Sequence, residues 1–380
     1  MNQSIGRPTW AEVNLDALAH NFRVIRDCVG PDVKVLAAVK ANAYGHGALA
    51  CSRRLEKEGA DWFGVALPEE GVELRGGGIT KPILCMGGSW AGQEGVCIQQ
   101  KLTPVVYRIE VAEALERATA AAGRTVNIHV KVDTGMGRLG VRCDDLPDFC
   151  DALSRLQHIR VDGLMTHLAS ADDQAKADDT EKQLKRFRDA LSTLREHGLA
   201  PTQVHAANSA GLFAFPESRF SLVRPGGTLY GFQRDVLPKN IEKPPLRPVM
   251  SLHSRIEFLK RVKKGGKLGY GGTFETKRDS VIATVPIGYD DGYRRAFSNK
   301  SRVIVREQFA PVVGRVSMDL TIIDVTDVTD VAVDDRVTLL GSSGECSITA
   351  EDLSELAETI SYEITCGISN RVPRVYLEDN

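Results

Sequence analysis

The chain has 380 residues, 42% of them hydrophobic, which is enough to bury one large core or two smaller ones. Its formal net charge of −2 gives no electrostatic reason to expect nucleic acid or an anionic membrane as a partner. The eight cysteines include no CxxC pair, so neither a disulfide framework nor a zinc site is indicated.

The N-terminal segment MNQSIGRPTW lacks the basic start and apolar centre of a secretion signal. No apolar run reaches the length needed to span a membrane. We therefore expect a soluble protein of the reducing cytoplasm, with no membrane and no nucleic acid among its partners.

In residues 1–240, short apolar runs alternate with segments of helical periodicity. Such alternation predicts a parallel sheet, and eight strands suit a (β/α)8 barrel of the TIM type. A doubly wound open sheet is the alternative, but no GxGxxG follows an early strand. The predicted strands are Val33–Val39, Trp62–Ala66, Pro82–Met86, Pro104–Tyr107, Val126–Val132, Arg160–Met165, Gln203–Ala207 and Thr228–Gly231.

The pattern changes after the proline-rich segment NIEKPPLRP, Asn240–Pro248. Residues 241–380 are rich in strand-like runs, and a single clear helix is predicted at about Ala350–Thr359. We therefore predict an α/β barrel over residues 1–240 and a mainly β domain over residues 241–380. The first ten or so residues are expected to pack with the second domain.

Reactive side chains follow several of the predicted barrel strands. The carboxyl ends of barrel strands surround the active site in this architecture, so these side chains are expected to share one mouth. They are Lys40, Lys131, His167, Asn208, Ser209 and Arg224, the last just before Gly226 and Gly227.

Lys40 closes the apolar run of the first barrel strand. A solvated lysine at a strand end is the commoner explanation for such a residue taken alone. The functional explanation is a Schiff-base lysine, which attacks an aldehyde cofactor such as pyridoxal phosphate. The amides of Gly226 and Gly227, with the hydroxyls of Ser209 and Tyr44, would then form a cup for its phosphate.

The segment AVKANAYGHG resembles the pyridoxal-phosphate attachment segment of the alanine racemases. Similar motifs continue in the family's order from about Thr9 to Tyr376, including KVDTGMGRLG, HAANSAG, RPGGTLYG, GYGGTF, PIGYDDGY, GRVSMD and SYEITCGISNRVPRVY. The resemblance implies a barrel followed by a β domain, and a head-to-tail homodimer with shared active sites. It also implies interconversion of L- and D-alanine, which supplies D-alanine for peptidoglycan.

By this resemblance Lys40 and Tyr270 are the two catalytic bases, with Tyr270 contributed by the partner subunit. A tyrosine has an ordinary pKa near 10, so it needs cationic or hydrogen-bonding neighbours to act as a base at neutral pH. His167 and Arg224 would orient and tune it. The alternative for Tyr270 is an ordinary surface tyrosine in a glycine-rich turn.

Arg224 would face the pyridine nitrogen of the cofactor. Arginine stays protonated, so the ring becomes a weaker electron sink than one paired with a carboxylate, which should limit transamination. A structural salt bridge is the alternative for this residue.

The resemblance assigns roles to further residues. Arg138 would contact the cofactor's phenolic oxygen and the substrate carboxylate, and Lys131 is a candidate for carbamylation, with a free lysine as the alternative. His46 is interpreted as structural, capping the helix that follows the lysine loop, and the absence of HExxH spacing argues against a catalytic metal. The remaining cofactor-binding residues are Tyr44, His167, Asn208, Ser209, Gly226, Gly227 and Tyr362, and the remaining substrate-binding residues are Met318, Asp319 and Tyr289.

Four positions depart from the family's pattern. They are Gly227 where an isoleucine-like residue is common, Asp290 where alanine is usual, Ser317 where cysteine is frequent, and Leu320 where a polar residue is frequent. These departures concern substrate breadth, so a serine or broad-specificity racemase is the close alternative. A decarboxylase of the same barrel type is disfavoured by Arg224, and a non-catalytic cofactor-binding barrel is disfavoured by the second domain.

Overall fold

The computed structural model describes residues 6–378, which form two compact units. One unit is Leu18–Arg247. The other joins the residues up to Ala17 with those from Pro248 onward.

Eight parallel strands of the first unit form a nearly closed barrel, which confirms the predicted fold class. The strands follow one another around the sheet in chain order, and the eighth pairs with the first, Leu222 opposite Lys34. The remaining gap carries backbone hydrogen bonds, including Ser221 N–H to the Val204 carbonyl at 3.1 Å. The strands are Lys34–Ala38, Trp62–Val65, Ile83–Cys85, Leu102–Val106, Val126–Asp133, Ile159–Met165, Gln203–His205 and Leu222–Val223; a short ninth strand, Val141–Arg142, pairs with Val126–Asp133.

Helices alternate with these strands. Several strands are buried along their whole length, as expected where helices cover a parallel sheet. No helix of the described chain combines the length and the apolar character needed to cross a membrane. The helices are Leu15–Val29, Lys40–Tyr44, Ala48–Lys57, Pro68–Gly76, Glu94–Gln99, Ile109–Ala121, Leu146–Ser154, Ala177–Glu196 and Ser209–Ala214.

The predicted eighth strand, Thr228–Gly231, is wrong. These residues belong to a 3-10 turn over Gly227–Tyr230, and the eighth strand is Leu222–Val223. Pro225 cannot donate to a strand ladder. Beyond it, the Gly226 amide donates to the side chain of Ser209 rather than to a neighbouring strand. The chain therefore leaves the barrel earlier than the apolar pattern TLYG suggests.

The second unit is mainly β. Strand Trp10–Asn14 pairs antiparallel with Met250–Arg255 and parallel with Arg374–Leu377. The helix predicted near residue 350 is present as Ala350–Leu356, and a second short helix, Ser361–Cys366, was not predicted. The other strands are Phe258–Val262, Lys267–Leu268, Phe274–Glu275, Ser280–Val285, Arg302–Val305, Gln308–Pro311, Thr321–Asp324, Arg336–Ser343 and Cys346–Ile348.

Candidate active site

Lys40 opens an unusual turn at the carboxyl end of the first barrel strand. Ala41, Asn42 and Ala43 have φ values of 51°, 54° and 53° with ψ near 50°, and Tyr44 has φ 54°. This is left-handed helical backbone, which costs a non-glycine residue about 1–2 kcal/mol. Four such residues in succession persist only when the surrounding structure over-determines them.

His46 and Tyr230 brace this turn. The Nδ1 atom of His46 lies 2.9 Å from the Ala43 carbonyl and 3.0 Å from the Tyr44 carbonyl. Its ring stacks on Tyr230 with centroids 4.5 Å apart, and the Tyr230 hydroxyl donates to the Ala38 carbonyl at 2.9 Å. His46 is therefore structural, but it contacts the lysine turn rather than capping the helix that follows.

The residues predicted to form a phosphate cup lie close together around Ser209. Its Oγ accepts from the Gly226 amide at 2.9 Å and from the Thr228 hydroxyl at 3.1 Å. A Cβ atom added to Gly226 would lie 2.6 Å from the Tyr44 hydroxyl, so a larger residue there would displace the Tyr44 side chain. Gly227, next in the chain, is buried at the start of the 3-10 turn. Four of the predicted cofactor-binding residues are thus neighbours.

Arg224 is a buried guanidinium. Its Nη1 donates to the Nδ1 atom and the carbonyl of His205, both at 2.9 Å, and its Nη2 donates to the Thr166 carbonyl at 2.7 Å. Nη2 also lies 3.4 Å from Nδ1 of His167. Burial lowers the pKa of Arg224 to about 10, so it remains protonated at neutral pH. Among the described residues these partners are neutral, so they do not form the salt bridge considered from the sequence.

A chain of two histidines extends behind Arg224. Because Arg224 donates to Nδ1 of His205, that ring carries its proton on Nε2, which lies 2.9 Å from Nδ1 of His129. Burial, reinforced by Arg224, lowers the pKa of His205 well below its ordinary value and that of His129 to about 3. Both rings are therefore neutral. Neither histidine was assigned a role from the sequence, although His205 lies in the HAANSAG motif.

Several cationic side chains lie near this pair of histidines. Lys131 is only 6% exposed, and burial followed by Arg224, Arg138 and Lys40 lowers its pKa to about 8, against a raising effect of Asp133. Burial and the same cations hold the pKa of His167 well below its ordinary value. A site built this way favours bound anions such as a phosphate, a phenolate or a carboxylate.

The side chain of Asn208 caps the helix that begins at Ser209. Its Oδ1 accepts from the Gly211 amide at 2.9 Å, which caps helix Ser209–Ala214. Its amide nitrogen lies 3.4 Å from the Leu168 carbonyl.

The remaining predicted residues lie in the second unit. Tyr270 is 71% exposed and Met318 is 52% exposed. The Tyr289 amide donates to the Ser317 carbonyl at 3.0 Å, which places Tyr289 beside Met318 and Asp319. Tyr362 lies in helix Ser361–Cys366.

Asp290, one of the departures from the family's pattern, has a partner in this structure. Arg371 contacts the carboxylate of Asp290 and also donates to Asp319 at 2.7 Å. One guanidinium therefore ties the turn that carries Tyr289 to the turn that carries Met318.

The barrel residues fit pyridoxal phosphate. Lys40 would supply the amine, and Ser209 with the backbone of Gly226 and Gly227 would hold the phosphate. Arg224 supplies a buried cation.

Comparison with known proteins agrees with this geometry. The family model described as "Alanine racemase, N-terminal domain" matches residues 13–234, and "Alanine racemase, C-terminal domain" matches residues 249–376. The chain belongs to the alanine racemase family. The predicted family is thereby confirmed, and so is the predicted enzyme class, a pyridoxal-phosphate-dependent isomerase that racemises alanine.

Individual alanine racemases align over nearly the whole chain. The alanine racemase of Halothermothrix orenii is 43% identical over 378 residues, 99% of this chain and 98% of that protein. The solved alanine racemase of Clostridium difficile 630 superposes with a TM-score of 0.93 at 37% identity, covering 99% of this chain and 97% of that one. The Bartonella henselae alanine racemase, solved with covalently bound pyridoxal phosphate, has a TM-score of 0.87 at 30% identity, covering 98% and 100%.

Proposed function

We propose that the chain interconverts L- and D-alanine with two bases, Lys40 from the barrel and Tyr270 from a partner subunit. The proposal is supported by the position of Lys40. It opens a strained turn whose Tyr44 lies against Gly226, and Lys40 and Arg224 both lower the pKa of Lys131. Pyridoxal phosphate, when bound, supplies the electron-withdrawing ring that makes the substrate's Cα–H acidic. Lys40 and Tyr270 then move protons at Cα from opposite faces.

Arg224 controls which reaction follows. It remains protonated with its donors directed at carbonyls and imidazoles, so it is a poor source of a proton for the cofactor's ring nitrogen. We infer that this favours return of the proton to Cα over transamination. The second-unit departures leave substrate breadth to experiment, with a serine or broad-specificity racemase as the alternative.

Lys131 is proposed to be carbamylated. With a pKa of about 8, part of its population at neutral pH is the free amine that attacks carbon dioxide. The amine nitrogen bonds to the carbon, a proton leaves, and the cation becomes a carbamate anion. That anion would offset the charges of Arg138, Arg224 and Lys40 and hold Arg138 for the substrate carboxylate.

A homodimer with shared sites accounts for the exposed residues of the second unit. Tyr270 and Met318 are exposed large side chains, which suits residues that complete a neighbouring subunit's site. In this arrangement Met318 and Asp319 bind substrate and Tyr289 lines the entrance, while Tyr362 contacts the phosphate. We place the enzyme in the cytoplasm, supplying D-alanine for peptidoglycan.

The proposal is tested by trapping the cofactor and measuring racemisation. Borohydride reduction of the purified protein should fix pyridoxal phosphate on the peptide that contains Lys40, with loss of a band near ~420 nm. L-Alanine should be racemised well above L-serine. A trapped cofactor with dominant serine activity would favour the alternative, and trapping on another lysine would contradict the assignment of Lys40.

A further inference from the structure

Glu70 has an ordinary local role. It is the third residue of helix Pro68–Gly76, which follows the second barrel strand. Its Oε2 atom accepts from the Ala66 amide at 2.6 Å and from the Leu67 amide at 3.1 Å. A glutamate at this position commonly caps its own helix in this way.

The second carboxylate oxygen of Glu70 accepts a hydrogen bond that helix capping does not require. Oε1 accepts from the Ala41 amide at 2.6 Å, across 29 positions of sequence. Ala41 is the first left-handed residue after Lys40. One carboxylate therefore joins the turn after the first barrel strand to the turn after the second.

The bond between the Ala41 amide and Glu70 lies at one end of the left-handed turn, and other contacts hold the opposite end. The far end of the turn is held by Asn42, whose Oδ1 accepts from the Ala48 amide at 2.7 Å, and by His46 at the Ala43 and Tyr44 carbonyls. Glu70 acts at the near end, on the amide that directly follows Lys40. Amides at the start of a helical turn lack partners within it, and an ionised acceptor makes the stronger hydrogen bond.

We propose that Glu70 is a positioning residue for Lys40. By holding the Ala41 amide, its carboxylate fixes the start of the left-handed turn and so the direction in which the Lys40 side chain leaves the strand. This rests on the proposed function of Lys40 as the residue to which pyridoxal phosphate attaches. Glu70 would act through the Ala41 amide rather than on the cofactor or the reacting atoms.

The test compares Glu70→Gln with Glu69→Gln in the full-length protein stripped of cofactor. A glutamine at position 70 keeps the size but has one acceptor oxygen, so it cannot serve both turns. Glu69 is the matched control, because its Oε1 accepts from Gln93 at 2.7 Å, outside the lysine turn. The two readouts are hydrogen exchange of amides 41–44 and the rate at which added pyridoxal phosphate becomes trapped on Lys40 by borohydride.

Glu70→Gln should speed exchange of these amides about tenfold and slow trapping on Lys40 by a similar factor, as expected for loss of a charge-assisted hydrogen bond. Glu69→Gln should stay within about twofold of the unaltered protein in both readouts. Unchanged exchange would overturn the proposal. Faster exchange with an unchanged trapping rate would also overturn it, because Glu70 would then shape the turn without positioning the amine.

Two further outcomes are distinguishable. If Glu70→Gln does not fold, Glu70→Asp keeps the charge but is too short to reach both turns, and the same readouts apply. If the unaltered protein traps no cofactor on Lys40, the proposed function fails. The exchange comparison then still decides whether Glu70 holds the turn.

Discussion

Arg224 and His205 are joined by two hydrogen bonds, from Nη1 to the ring nitrogen Nδ1 and to the backbone carbonyl, both 2.9 Å long. This geometry requires a neutral His205 with its proton on Nε2. That N–H group donates a hydrogen bond to Nδ1 of His129. The orientation of a buried guanidinium thus depends on a histidine one step further from the site.

Replacing His129 with leucine should show this dependence. The variant leaves the buried Nε2–H of His205 without its acceptor, which should lower the free energy of unfolding by about 1–3 kcal/mol. Because His205 would no longer be held in place as an acceptor for Arg224, the cofactor absorbance should change. The value of kcat should fall, and KM should change less. Chemical denaturation, absorbance spectra and steady-state kinetics measure these effects.

His158→Leu is the control for this variant. His158 pairs with Glu116 at 2.8 Å and has no contact with the histidine chain among the described hydrogen bonds. Its replacement should leave the cofactor spectrum unchanged. An identical spectrum in His129→Leu would show that the chain does not orient Arg224.

In the left-handed turn we expect substitution by glycine to affect stability in the opposite direction from the same substitution in a regular helix. Ala41→Gly should be neutral or stabilising by up to about 1 kcal/mol, because glycine adopts positive φ without steric cost. The same substitution at Ala114, inside the regular helix Ile109–Ala121, should destabilise by about 1 kcal/mol. Equal losses at the two positions, measured by urea denaturation, would contradict a left-handed conformation at Ala41.

Lys131 should make stability depend on pH in an unusual direction. Its pKa is about 8 in the folded chain and 10.5 ordinarily, so between these values the unfolded chain binds more protons. Stability should therefore rise with pH across this window, by up to roughly 3 kcal/mol relative to Lys131→Met in carbonate-free buffer. The difference in the free energy of unfolding between the two proteins could instead stay constant from pH 8 to 10.5. That result would contradict a buried Lys131 amine with a lowered pKa.

Bicarbonate provides a second arm of the same experiment. A carbamylated Lys131 no longer titrates as an amine, so added bicarbonate should flatten the pH dependence. Carbon-13 bicarbonate should also give a carbamate signal that Lys131→Met lacks. Persistence of the full slope in bicarbonate, without such a signal, would exclude carbamylation.

The barrel was predictable from sequence because buried parallel strands leave apolar runs at regular intervals. The eighth strand was misplaced because Thr228–Gly231 has strand-like composition, while the real strand has only two residues. The left-handed turn could not be foreseen, since ANAY contains no glycine to announce positive φ.

The site was predictable only in part. Lys40 is conspicuous because an amine closes an apolar strand, whereas Tyr270 was identified solely through the family resemblance. His129 and His205 alternate with apolar residues, a pattern that predicts only buried core positions. The hydrogen bond between their rings forms only when the barrel closes. Glu70 lies in the first turn of its helix, where glutamate is common, but its bond to Ala41 depends on neighbouring strands meeting in space.

We propose that Lys40 and Tyr270 act in one site from two subunits, and complementation between two inactive variants tests this most directly. Lys40→Ala and Tyr270→Phe should each lose most activity as homodimers. Unfolding the two variants together and refolding the mixture should restore activity, because each heterodimer has one site with both residues intact. A mixture that stays inactive while heterodimers form would contradict the shared, two-base site.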